Sequence, residues 1–173
     1  MPSLARQETL RRHHRALVRL ARQAWEQPGD FRAAVQAIAE TAATELDVER
    51  VSVWLYTDDR SSIRCFHFYD RAGEGHVPNG NEELSTLANV AYFEALTDAR
   101  AIGLEDAAGD PISHSFLEPY LGRHGITSMC DAPVRVSGQI VGIICHEQVG
   151  SRREWTADDI SFAGTMGDFI ALA

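Results

Sequence analysis

Residues 127–149 constrain this chain most. Thr127 to Val136 and Gln139 to Val149 are two long, largely apolar runs rich in β-branched residues, separated only by Ser137-Gly138. A two-residue connection with glycine where a positive φ is needed is the signature of a tight antiparallel hairpin. Such a hairpin needs further strands beside it and helices against it before it is stable. The simplest register pairs Val136 with Gln139, Val134 with Val141, Ala132 with Ile143 and Cys130 with Cys145. Away from the turn that face is uniformly apolar and should pack against long helices. The other face carries Met129, Asp131, Pro133 and Arg135 across from His146, Ile144, Gly142 and Ile140. This mixed face is where a pocket is expected, with Asp131 and His146 diagonally across it.

The rest of the chain supplies the partners. Leu4 to Glu26 is helical in character, and Leu10, Leu17 and Ala24 recur at seven-residue spacing, a narrow seam suited to a partner helix. Pro28-Gly29 breaks that helix, and Asp30 is a good N-cap for a second, Phe31 to Leu46. Its stripe of Phe31, Val35, Ile38, Ala39, Ala42 and Leu46 should lie on a sheet. Arg50 to Tyr56 and Ser62 to Tyr69 alternate as strands around the turn residues 57–61. Residues 70–83, with Gly73, Gly75, Pro78 and Gly80, read as a loop, and 83–97 as a helix. Ala99 to Leu104 reads as a short strand, and Ser115 to His124 as a short helix closed by Gly125. Trp155 leads into a helix capped by Thr156 and running from Asp158 to Ala173, with Ile160, Phe162, Ala163, Met166, Phe169, Ile170 and Leu172 buried. This order gives an α+β fold: a central antiparallel sheet of five to six strands, the long terminal helices on one face, and short helices and loops over a pocket on the other.

Composition removes several function classes. The formal charge is −9, which argues against a nucleic-acid partner. All 16 cationic residues are arginine, and the six at Arg6, Arg11, Arg12, Arg15, Arg19 and Arg22 read as a solvated face of the first helix. No stretch approaches the roughly 18 apolar residues of a membrane span, and no leader-like segment opens the chain, so a cytoplasmic location is expected. Cys65, Cys130 and Cys145 have no CxxC spacing, which disfavours a zinc ribbon or a secreted disulfide framework. Glu105, Asp106 and Asp110 lack calcium-loop spacing, and no nucleophile elbow accompanies the serines.

Asp131-Ala-Pro-Val-Arg-Val-Ser-Gly-Gln-Ile-Val-Gly142, followed by Trp155-Thr-Ala-Asp-Asp-Ile-Ser-Phe-Ala163, resembles the last two strands and closing helix of bacterial GAF domains. The element order resembles that family from about residue 29 onward, which divides the chain into a signalling and dimerisation helix at 1–28 and the domain at 29–173. The resemblance implies a small-molecule or chromophore pocket on one sheet face under the middle helices. It also implies a homodimer through terminal helices, and an output domain such as a histidine kinase or diguanylate cyclase. The bilin-attachment cysteine of some relatives has no counterpart in His114 to Gly125. Cys145-His146 falls on the last strand and does not take that role. The Asn-Lys, Phe and Asp-Glu signature of cyclic-nucleotide binders is absent, and no cofactor is identified.

The ligand-binding set expected on the mixed face is Phe66, Phe68, Tyr92, Phe116, Tyr120, Met129, Asp131, Ile144 and His146. The aromatics, with Phe93 beside them, are also what a plain core would use. His146 reads as a core histidine satisfied by Asp131 or a carbonyl, with ligand contact, pH sensing and haem or metal ligation as alternatives. Cys130 and Cys145, if opposed, read as small buried hydrophobes or as a cross-strand disulfide. His13 and His14 should face solvent. The expected function is a non-catalytic sensory module. A redox-cysteine enzyme acting on methionine sulfoxide and a pocket-less dimer scaffold are the alternatives.

Overall fold

The computed structural model describes residues 3–26, 29–73, 75–78 and 82–173. Pro28 and Gly80, read above as a helix break and a loop glycine, lie outside the described residues. Three long helices, α1 (Leu4–Glu26), α2 (Phe31–Leu46) and α5 (Ala157–Leu172), have the bounds that periodicity predicts to within a residue. Their ends follow local chemistry. The Asp30 carboxylate accepts from the Ala33 amide, and Thr156 and Asp159 form a reciprocal capping box.

Strands β1 (Arg50–Tyr56), β2 (Ser62–Asp70), β3 (Gly75–Pro78), β4 (Glu83–Ser85), β5 (Ile102–Leu104), β6 (Ile126–Val136) and β7 (Gln139–Val149) form one sheet. Among the described residues it has seven strands in the order β3-β2-β1-β7-β6-β5, with β4 also pairing β2. Every pairing is antiparallel. The expected loop at 70–83 therefore hides β3. The expected helix at 83–97 is instead β4, a 3-10 turn (Leu87–Asn89) and α3 (Val90–Asp98). The segment predicted as a short helix is a 3-10 turn (His114–Phe116), a wide π turn (Leu117–Leu121) and α4 (Gly122–His124). It closes on Gly125 at φ 66°.

The core has two compartments. On one sheet face α2, α5 and the buried stripe of α1 (Ala16, Leu20) pack over Val51, Val53, Cys130, Ala132, Val134 and Ile144. On the other, α3 and the His114–His124 segment cover Trp54, Ile63, Cys65, Met129, Ile143 and Cys145. Two surface expectations fail. Leu172 projects into solvent, and His13 is buried, its ring stacked on Phe162 at 4.1 Å. The α1 stripe that meets the domain is His13, Ala16 and Leu20, with the seam residue Leu17 partly buried beside them, whereas the seam residue Leu10 is 42% exposed. Ala24, the third seam position, has its side chain outside the described residues. Among the described residues no helix is long and apolar enough to cross a membrane.

Candidate functional site

The hairpin turn is the predicted one: Val136 pairs with Gln139, and Ser137 and Gly138 have φ of 51° and 80°. Two residues on, the register slips. Arg135 pairs with Ile140 but Val134 pairs with Gly142, so Val141 is an extra residue on β7. A bulge of this kind reverses the facing of every later residue on its strand. Asp131 consequently lies opposite Cys145, and Cys130 opposite His146. This overturns the register drawn from the sequence: Cys130 and Cys145 face opposite compartments, and no disulfide joins them. Asp131 and His146 are likewise on different faces. His146 sits among the helix-side residues, next to Val51 on β1, with Nδ1 2.6 Å from the Cys130 carbonyl and no partner for its buried Nε2. Ile144 goes with it into the helix-side core.

A second bulge lies where Val53 pairs with His67 but Trp54 pairs with Cys65. Phe66 is the extra residue there, and the bulge separates it from Phe68. Phe66 turns to the helix side, 5.1 Å from the Phe31 ring and under the Arg32 guanidinium. Phe68 stays on the covered face, beneath the Arg50 guanidinium at 4.1 Å. Six of the nine expected residues therefore share one compartment: Phe68, Tyr92, Phe116, Tyr120, Met129 and Asp131. Phe66, Ile144 and His146 do not.

That compartment is built on two carboxylates that are fully buried, Asp131 and Glu147. The Tyr92 hydroxyl of α3 donates to Asp131 Oδ2 at 2.6 Å and lies 3.9 Å from Cys145 Sγ. Asp131 Oδ1 has no hydrogen-bond partner. The Tyr120 hydroxyl donates to Glu147 Oε1 at 2.6 Å, joined by Ser52 Oγ at 2.9 Å, which itself accepts from Trp54 Nε1. Arg50 Nε reaches Glu147 Oε2 at 3.0 Å. Each of these two acids is thus closed by one tyrosine from one covering segment. Tyr92 stands edge-on to Phe116 at 4.8 Å, which ties the two segments together.

The electrostatics differ between the two acids. Glu147 has a cation beside it, and among the described residues Asp131 has none. Burial, reinforced by the charge of Glu147, pushes the Asp131 carboxyl up to about 7, against the opposing pull of the Tyr92 hydroxyl and of neighbouring Cys145 and the His146 backbone. Burial also raises the thiols of Cys130 and Cys145, which keeps them protonated. Glu147 escaped the sequence reading because its facing depends on the bulge in β7, and Ser52 and Trp54 because which face of β1 is covered is decided only by its neighbours in the sheet. The one available signal was an acid within the second strand of the hairpin, between His146 and Gln148.

Among the described residues no group of three or more His, Cys, Asp or Glu side chains is arranged to hold a metal ion. An open cleft of about 840 Å3 lies elsewhere, at the β1–β2 hairpin end, between Tyr56, Asp58, Cys65 and Glu82. Of the nine expected residues, it takes in Phe66 alone.

A family model described as GAF domain matches residues 30–173. No curated protein matches the chain. Among solved structures, the phycocyanobilin-bound GAF domain of a cyanobacterial phytochrome superposes with TM-score 0.74 at 16% identity, over 92% of each chain. The GAF domain of a phosphoenolpyruvate-protein phosphotransferase from Coxiella burnetii gives 0.69 at 15% identity, over 92% of this chain and 90% of that one. The phytochrome photosensory core of Stigmatella aurantiaca gives 0.73 at 13%, over 99% of this chain and 37% of that larger one. At these identities the likeness is one of fold.

Proposed function

The chain belongs to the GAF domain family, and we propose that it is a sensory module that binds a small molecule without turning it over. The observation that carries this reading is the pair of buried carboxylates on the covered face. A core built only for stability avoids burying two acids, because desolvating each costs several kcal/mol unless a partner offsets it. Here the acids sit beneath the two segments that would have to move to admit a ligand, α3 and His114–His124. The phytochrome relative carries phycocyanobilin on this fold. Residues 114–125 contain no cysteine, which argues against a bilin attached covalently to that segment.

The relay follows from the layering. A ligand that prefers one arrangement of the covering segments changes the sheet by its differential affinity, and the sheet bears α1, α2 and α5 on its other side. In this reading the chain works as a cytoplasmic homodimer joined through terminal helices and coupled to an output domain such as a histidine kinase or diguanylate cyclase. A redox-cysteine enzyme fits less well, since burial holds Cys130 and Cys145 as thiols. A pocket-less scaffold is the competing reading, and the close packing of Tyr92, Phe116, Tyr120 and Met129 favours it.

Native mass spectrometry of protein purified from its own source decides between them. The sensory reading expects an added mass lost on denaturation. A bare chain mass, with no small molecule raising the melting temperature, would leave the scaffold.

A further inference from the structure

The two acids of the covered face are not equivalent. Glu147 has both oxygens occupied, by Ser52, Tyr120 and Arg50. Asp131 has one oxygen taken by Tyr92 and the other, Oδ1, buried with no hydrogen-bond partner. The chain's nearby cations are committed elsewhere. Arg50 serves Glu147, and Arg135, on the same strand as Asp131, donates to the Leu96 and Thr97 carbonyls at the end of α3. The other polar groups at the site are the Tyr92 hydroxyl, the Cys145 thiol and the His146 backbone amide, none of which supplies a full positive charge. A buried acceptor left free costs the full desolvation of that oxygen, which a donor brought in from outside would recover.

Resting on the ligand-binding reading above, we propose that this face takes a cationic nitrogen ligand, an amine, amidine or guanidine on a small aromatic or apolar body, whose N–H bonds Asp131 Oδ1. The surroundings suit such a molecule. Two buried carboxylates repel an anion, while Tyr92, Phe116 and Tyr120, now packed on one another, would give ring faces and edges to a flat body once the covering segments part. Entry is past α3, which buries only Tyr92 and Leu96 and is therefore lightly seated. The ligand and the Tyr92 hydroxyl would then share one carboxylate, the ligand on Oδ1 and Tyr92 on Oδ2, so occupancy is felt by α3 through the residue that closes the site.

The test is calorimetric titration of the whole chain at pH 8 with benzamidine, its uncharged analogue benzamide, and benzoate, repeated on Asp131→Asn. Benzamidine should bind, benzoate should not, and Asp131→Asn should weaken benzamidine by about tenfold or more while melting cooperatively. Wild-type affinity for benzamidine should fall at pH 6, where the carboxyl holds a proton. If benzamide or benzoate binds as tightly as benzamidine, or Asp131→Asn binds it undiminished, the ligand class is wrong and the sensory reading stands. If none of the three binds at millimolar concentration and the native mass is bare, both fall together.

Discussion

A carboxyl group with no exposure to water and one oxygen unbonded favours its neutral form, and at Asp131 this places its titration at about 7. The folded value lies above the unfolded one, so the stabilisation it brings is complete in acid and is lost as pH rises through 7. Between pH 6 and pH 8.5 the native state should lose about 1.4 kcal/mol from this group. Asp131→Asn keeps the acceptor for Tyr92 and cannot ionise, so the fall in stability that Asp131 causes across that range should be missing from it. Urea unfolding at the two pH values checks this, and an equal pH dependence in wild type and variant would remove Asp131 as the cause. His146 behaves oppositely: burial holds its pKa near 4, so its contribution is present above 6.5 and lost in acid. At this scale the sequence told which residue types were present, and Asp131 was legible as a site residue. The absence of a cation beside Asp131 was not, because Arg50 and Arg135 are assigned only by the sheet.

Among the elements, β7 is decided by the residue after its bulge. Gly142 lies so close to β1 that an added Cβ would stand 2.4 Å from the Trp54 carbonyl oxygen and 2.9 Å from Leu55. The backbone atom cannot rotate away, so Gly142→Ala must push β1 and β7 apart. The expected cost is roughly 2–3 kcal/mol, with a proportionate drop in melting temperature measured by calorimetry. A variant as stable as wild type would mean that the bulge relaxes at no cost. The helices were legible because capping residues and 3.6-residue periodicity are local properties: Asp30, Thr156 and Gly125 act where the sequence puts them. The short strands β3 and β4 were not, since a strand of three or four residues exists only through its pairing with β2. The bulges in β2 and β7 are likewise absent from the pattern, because alternation looks the same whether or not one residue is skipped.

Across the whole molecule, α1 is joined to the domain by a narrow contact. It buries His13, Ala16 and Leu20, and its arginines reach Asp158 and Glu45 through ion pairs that leave Arg6 and Arg12 more than half exposed. Such pairs contribute at most about 1 kcal/mol each. The helix-side core is otherwise closed by α2 and α5. A chain beginning at Gly29 should therefore fold cooperatively with a stability reduced by a few kcal/mol, and should lose the dimer proposed for the full chain. Light scattering and thermal melts of both chains check the two parts separately; a strictly monomeric full chain at high concentration would end the dimer proposal. The sequence by itself determined the α+β class, the three long helices, the closing hairpin and the sheet face to inspect, because caps, periodicity and turn chemistry act within a few residues. The tertiary structure alone decided which side chains share that face. One skipped residue at Val141 moved His146 and Ile144 away from Asp131 and brought Glu147 in, and a strand's facing is set by the neighbour it pairs with.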